Sequence, residues 1–343
     1  MAVRPMTAGS FAVIFGLSGC ASALQARSNG ELTHHVGNGL VAASWSFVSG
    51  FVLLTVLVLV IPAARSGVGR IWHATRSGGL AWWAVPSGAI GGIFVTLQGF
   101  SVALIGVATF TVGMVAGQTA NSLVVDRIGL SPIGRTPITG RRLVAAGIAI
   151  VAVVVAGLGH LGGEALPVAA VLVAFVGGAI VAVQQALQGR VNIASGHPVG
   201  TAWNTFLFGA AMALALLVVS LLGFGTSLQA PTTGPAWMWL GGVFGACFII
   251  TASWAVPRYG VLLFALVTIS GQLAAALVLD LVAPVAGVRL EWPLVARVAQ
   301  AARTLAAAPR WPWPSSPVPS SRCSPEPTAS SPTTCTHPSC RRG

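Results

Sequence analysis

The chain has 343 residues, of which 55% are hydrophobic and only 7% charged, whereas a soluble globular protein carries about 25% charged residues. With a mean hydropathy of +0.84, a soluble fold is excluded and an all-α integral membrane protein is implied. The net charge of +12 does not point to nucleic acid, because no exposed stretch interleaves basic and aromatic residues and the arginines follow a membrane-loop pattern instead.

A helix needs about 20 apolar residues to cross the hydrocarbon core. After a short N-terminal segment, 1–8, windows of that length predict spans at 9–25, 38–61, 80–101, 103–125, 141–159, 166–187, 201–223, 236–256 and 260–283. In the first span "LSGC" (Leu17–Cys20) resembles the lipobox of a lipoprotein signal. The eight spans that follow favour a first transmembrane helix. His34 and His35 form a loop pair without a third ligand, and the five cysteines show no metal spacing. No metal or cofactor is therefore expected.

All 18 basic residues are arginine. With the N-terminus in the cytoplasm, inner segments hold Arg4, Arg65, Arg70, Arg76, Arg127, Arg135, Arg141, Arg142, Arg190 and Arg258, and outer loops only Arg27 and Arg289. That asymmetry sets the predicted orientation.

A tenth span is expected near 294–310. Arg303 and Pro309 interrupt it, and 311–343 becomes a Pro/Ser-rich run that reads as a disordered tail. The change fits a frameshift or a divergent end, leaving the tenth helix degraded or missing.

The chain also repeats itself. With Gly106 set against Gly260, Gln118 falls on Gln272 and Asp126 on Asp280 without a gap. "ALQARSN" (Ala23–Asn29) matches "ALQGRVN" (Ala186–Asn192), and Trp45 matches Trp203. Two units follow, 9–160 and 166–310. Five spans in each force the second copy to lie upside down relative to the first, the inverted-topology repeat of many secondary transporters. The repeated glutamines are then expected near a pseudo-twofold axis, and the aspartates at opposite faces.

The doubled "GQ…D" phrase, the doubled "ALQ-x-R-x-N" and the paired tryptophans resemble the drug/metabolite transporter superfamily, in its EamA-like, YdcZ-type branch. The resemblance covers about residues 10–290. It implies ten helices in two inverted halves, a bacterial inner membrane location, and transport of small organic molecules. It carries over no substrate.

Polar side chains inside spans are costly and tend to face a pathway. The substrate-binding candidates are Gln118, Gln272, Trp45, Trp203, Asn204, Gln184 and Gln188. Gln184 and Gln188 share one helical face, and Gln185 adds to the polarity of the same span. The bland alternative for the glutamines is interhelical bonding that holds the bundle together. Gating or coupling candidates are Asp126, Asp280, Arg27 and Arg190; for the arginines the alternative is interface anchoring by snorkelling. Trp82, Trp83, Trp237 and Trp239 read as an aromatic belt.

No His/Asp/Glu cluster, nucleophile motif or cofactor loop supports an enzyme. The expected partners are the lipid bilayer and a small-molecule substrate, not nucleic acid; a homo- or hetero-dimer is compatible with the pattern. The leading expectation is a secondary transporter working by alternating access. The alternative is a non-transporting or degenerate membrane protein that needs a partner subunit.

Overall fold

The computed structural model describes residues 8–132, 134, 135, 137, 140, 143, 144, 147, 165–224, 234–259 and 261–282. Most of the predicted fifth span, the segment of the tenth and the Pro/Ser-rich tail lie outside the described residues.

Every described element is helical. In chain order these are α1 (Ala8–Val36), α2 (Gly39–Val60), α3 (Pro62–Arg76), a 3-10 turn η1 (Trp82–Ala84), α4 (Ser87–Ile128), α5 (Ala165–Ser195), α6 (Pro198–Phe224), a second 3-10 turn η2 (Ala236–Leu240), α7 (Gly241–Tyr259) and α8 (Val261–Val282). Five described stretches are long and apolar enough to cross a membrane: Gly39–Val60, Trp82–Val107, Ala169–Ser195, Pro198–Gly223 and Ala236–Tyr259.

Helix α1 runs well past the predicted end of the first span. Nothing in "ARSNGELTHHV" breaks a helix before Gly37 at φ 66. Asn38 then starts α2, its Oδ1 accepting the Leu40 N–H at 2.8 Å. Leu17–Cys20 therefore lies within a continuous helix, and Cys20 Sγ sits 3.6 Å from the Gly271 carbonyl.

The predicted third and fourth spans form α4, broken only at Gly106, where φ is 74 and ψ 168. Glycine adopts that conformation without steric cost. The rings of Phe94 and Phe110 lie 6.1 Å apart, although a straight helix would separate positions so spaced by about 24 Å. The chain thus folds back at Gly106 into limbs 87–105 and 107–128. Helix α5 packs along both. Gly113 and Gly117 face Ala174 and Ala179 in parallel order, and Phe94 and Gly91 face Gly177 and Gln184 in antiparallel order.

The main core joins these elements. Ala23 and Ala26 of α1 pack with Val102, Ile105, Phe110 and Met114 of both α4 limbs, Val171 and Ala174 of α5, and Ile269 and Leu273 of α8.

The hairpin also defines two ends of the bundle. Asn29 and Gly30 of α1 meet Gln98 and Val102 beside the Gly106 turn. Arg190 of α5 meets Gly129 and Trp83 at the other end, where the limb begins and α4 stops. Roughly 25 Å of helix separates the two groups.

Helix α3 was not anticipated; 62–79 reads as a loop in the sequence. Pro62 opens it. Its buried stripe is Ala64, Gly67 and Ile71. The helix lies across the α5–α6 connection at the Arg190 end. A β-carbon on Gly67 would sit 2.8 Å from Ser195 Oγ, and Arg70 Nε donates to the Ser195 carbonyl at 2.8 Å.

His197 lies in that connection. Burial, and secondly the Arg70 guanidinium, hold its pKa below the ordinary 6.5. The folded state favours neutral imidazole, so this contribution to stability is present above the unfolded value and is lost as pH falls through the lowered folded one. The melting temperature in detergent is expected to drop from pH 7 to pH 5, and His197→Gln to flatten part of that drop. An unchanged slope in the variant would assign the acid sensitivity to other groups.

Candidate functional site

The two repeated glutamines are buried, each at 3% exposure, and each is held by the first helix of the opposite unit. Gln118 on α4 donates Nε2 to Gln185 Oε1 on α5 at 3.0 Å. Gln272 on α8 donates Nε2 to Ser22 Oγ on α1 at 2.7 Å. The helices come this close because glycine lines both crossings. A β-carbon on Gly178 would collide with the Met114 carbonyl and lie 2.9 Å from Gln118 N; one on Gly19 would collide with the Thr268 carbonyl and lie 2.7 Å from Gln272 N.

A second pair of amides obeys the same cross-pairing. The position of a β-carbon on Gly91 is 2.6 Å from Gln184 Nε2, and that on Gly245 is 2.6 Å from Gln25 Nε2. Matching "ALQARSN" to "ALQGRVN" aligns Gln25 with Gln188. These two contacts instead set Gln25 against Gln184, one helical turn earlier, whereas Ser22 and Gln185 keep the register of the motif. The glycines of the third and eighth predicted spans therefore seat amide side chains as well as backbone.

Gln188 completes the inward face of α5. Its Nε2 donates to the Ile249 carbonyl at 3.1 Å and to Ser253 Oγ at 2.5 Å, both on α7. Across the bundle, Asn29 Nδ2 donates to Gln98 Oε1 at 3.1 Å. Gln25, Asn29, Gln98 and Gln185 were absent from the sequence-derived site. Gln98 sits within an apolar span, which is itself a signal. The equivalent position holds Ala252, so Gln98 is not doubled in the repeat.

The two arginines cross-pair too. Arg27 lies over the Trp237 ring at 5.2 Å and Arg190 over the Trp83 ring at 6.0 Å. Trp83 and Trp237 are equivalent in the repeat, so these tryptophans do more than form an interface belt. Beyond that the arginines differ. Arg190 donates to the Leu130 and Gly129 carbonyls at 2.7 and 2.8 Å. It thereby satisfies two carbonyls just past the end of α4 and places a positive charge near the negative end of the helix dipole. Arg27 is 4% exposed and pairs with Glu31 of its own helix at 2.7 Å.

Asp126 is 3% exposed in the last turn of α4. Asp280 falls near the end of α8, and its side chain lies outside the described residues.

The aromatic candidates are not brought to the glutamines. Trp45 is 42% exposed, its Nε1 donating to the Trp239 carbonyl at 3.0 Å. Trp203 is half-buried against Phe51, with Nε1 donating to Thr55 Oγ1 at 3.0 Å. Asn204 is fully buried, and its Nδ2 donates to the Val85 carbonyl at 2.8 Å.

Several buried amide atoms have no protein partner: Gln185 Nε2, Gln188 Oε1, Gln272 Oε1 and Asn29 Oδ1. An unpaired buried polar group costs about 1–3 kcal/mol. A polar solute offering donors and an acceptor recovers that energy, so the arrangement suits hydrogen-bond recognition.

The family comparison gives two matches to one model, described as "Putative inner membrane exporter, YdcZ", over residues 10–155 and again over 169–308. Two matches to a single model fit a repeated unit. No curated protein matches the chain. With most of its length matched and its apolar spans in place, the chain belongs to the YdcZ-type inner membrane exporter family of the drug/metabolite transporter superfamily.

Proposed function

We propose that the chain is a secondary transporter that moves a small organic metabolite or drug-like solute across the bacterial inner membrane by alternating access. Two inverted five-helix repeats, ten helices in all, form the moving parts. The N-terminus faces the cytoplasm. The observation that carries this reading is the cross-pairing of the two units. Gln118 is held by α5 and Gln272 by α1, while Arg27 and Arg190 meet the opposite unit's tryptophans at opposite ends. Rocking one unit against the other changes both ends reciprocally, as alternating access requires. The buried amides of α1, α4, α5 and α8 are the proposed contacts for the solute. Asp126, Asp280, Arg27 and Arg190 are the proposed gating or coupling groups.

Thermal-shift screening of the purified protein with a metabolite library identifies candidate solutes, and counterflow in proteoliposomes then tests them. At least one stabilising solute is expected to exchange faster than in protein-free vesicles. If none stabilises or exchanges, the second reading stands: a non-transporting membrane protein that needs a partner subunit. Arg303 and Pro309 in the expected tenth span are the observation that favours it.

A further inference from the structure

Helix α3 packs fifteen residues, three of them arginine, across one end of the bundle. Its two sides do different work. Arg70, itself exposed, reaches from the flank of α3 and ties the helix to the Ser195 carbonyl at the end of α5. Arg65, Trp72 and Arg76 stand on one outward side by their helical spacing, and all three are exposed. Trp72 is 38% exposed, with its ring 6.4 Å from Phe208 on α6. The same end carries exposed Trp82 and Trp83 and exposed Arg127, Arg135 and Arg258. Among the described residues no exposed carboxylate balances them: Glu31 belongs to the opposite end, paired with Arg27, and Asp126 is buried.

We infer that the outer side of α3 is a binding surface for anionic phospholipid headgroups. Its position across the ends of α5 and α6 sets it where headgroups lie. Tryptophan favours that depth, and the arginine fork matches phosphate geometry. Anionic leaflets attract such basic segments. Through Arg70 the occupied surface fastens the end of α5, the helix that carries Gln184, Gln185 and Gln188. This inference does not depend on the transport reading.

The test uses full-length protein purified in neutral detergent. Native mass spectrometry counts retained lipid after titration with phosphatidylglycerol or phosphatidylcholine. Phosphatidylglycerol is expected to be retained selectively. R65Q/R76Q, with wild-type helical circular dichroism, is expected to bind it roughly ten- to thirtyfold more weakly, and R65K/R76K, which keeps the charge but loses the fork, to fall between it and wild type. Arg258→Gln, at the same end but off α3, is expected to lose much less. Equal retention of phosphatidylcholine, no loss in R65Q/R76Q, or an equal loss in Arg258→Gln would overturn the assignment. Should R65Q/R76Q fail to fold, the single variants Arg65→Gln and Arg76→Gln carry the same test.

Discussion

Leucine in place of Gly117 or Gly178 is expected to leave little folded protein. At Gly178 a β-carbon would overlap the Met114 carbonyl and approach Gln118 N to 2.9 Å; at Gly117 it would overlap the Phe175 carbonyl and approach Ala179 N to 3.0 Å. The obstacle in both cases is backbone, which cannot rotate aside as a side chain does. The α4 and α5 axes would have to separate, and Asn121 Nδ2 would lose its 2.6 Å bond to the Ala179 carbonyl. Overpacking alone costs about 1–3 kcal/mol and sometimes more. With the broken hydrogen bonds added, the loss is expected to exceed about 3 kcal/mol. Gly19→Leu and Gly271→Leu should behave alike at the α1–α8 crossing, where the obstacles are the backbones of Thr268 and Gly16. Gly223→Leu is the matched control, because a β-carbon there meets nothing within 4 Å. Size-exclusion chromatography after graded heating reads the outcome. Wild-type elution and melting for Gly178→Leu would mean that the α4–α5 crossing is looser than its glycines imply.

What the sequence disclosed and what it hid have separate physical causes. The apolar spans were legible because hydrocarbon imposes length and composition on each helix independently of its neighbours. Gly106 was legible only as the start of a repeat; its role as the turn between two limbs depends on a single backbone conformation. Helix α3 escaped notice because it does not cross the membrane. Two of its three buried positions, Ala64 and Gly67, are too small to register as an apolar stripe. Gln118 and Gln272 emerged from their doubling. Their partners did not, because Gln185 and Ser22 lie on the first helix of the other unit, and pairing between units leaves no local pattern. The tryptophans show the opposite failure. Trp45 and Trp203 match in sequence, yet Trp45 is exposed beside Trp239 and Trp203 is half-buried against Phe51. A shared position in a repeat fixes the helix a residue occupies, not the face that its environment buries.

Gln118→Ala and Gln185→Ala are each expected to reduce solute counterflow by roughly tenfold or more, and the double variant by little beyond the worse single. Each truncation leaves the other amide buried without its partner, at a cost of about 1–3 kcal/mol. Once one member is gone, removing the second restores a matched environment, so the effects should not add. Gln185 carries the larger expectation, because its Nε2 has no protein partner and is the atom best able to donate to a solute. Gln272→Ala breaks the corresponding bond on the other side, which ends on the Ser22 hydroxyl. A hydroxyl reorients toward a helix carbonyl more readily than an amide, so the stability loss there should be smaller and the transport loss should isolate the solute contact. Initial rate, KM and melting temperature are read together. A rise in KM with a melting temperature within about 1 °C of wild type, a shift of under about 1 kcal/mol for a chain of this size, assigns the amides to the solute. A transport loss that merely follows the melting temperature assigns them to holding the bundle together, and wild-type exchange in both single variants removes them from the site.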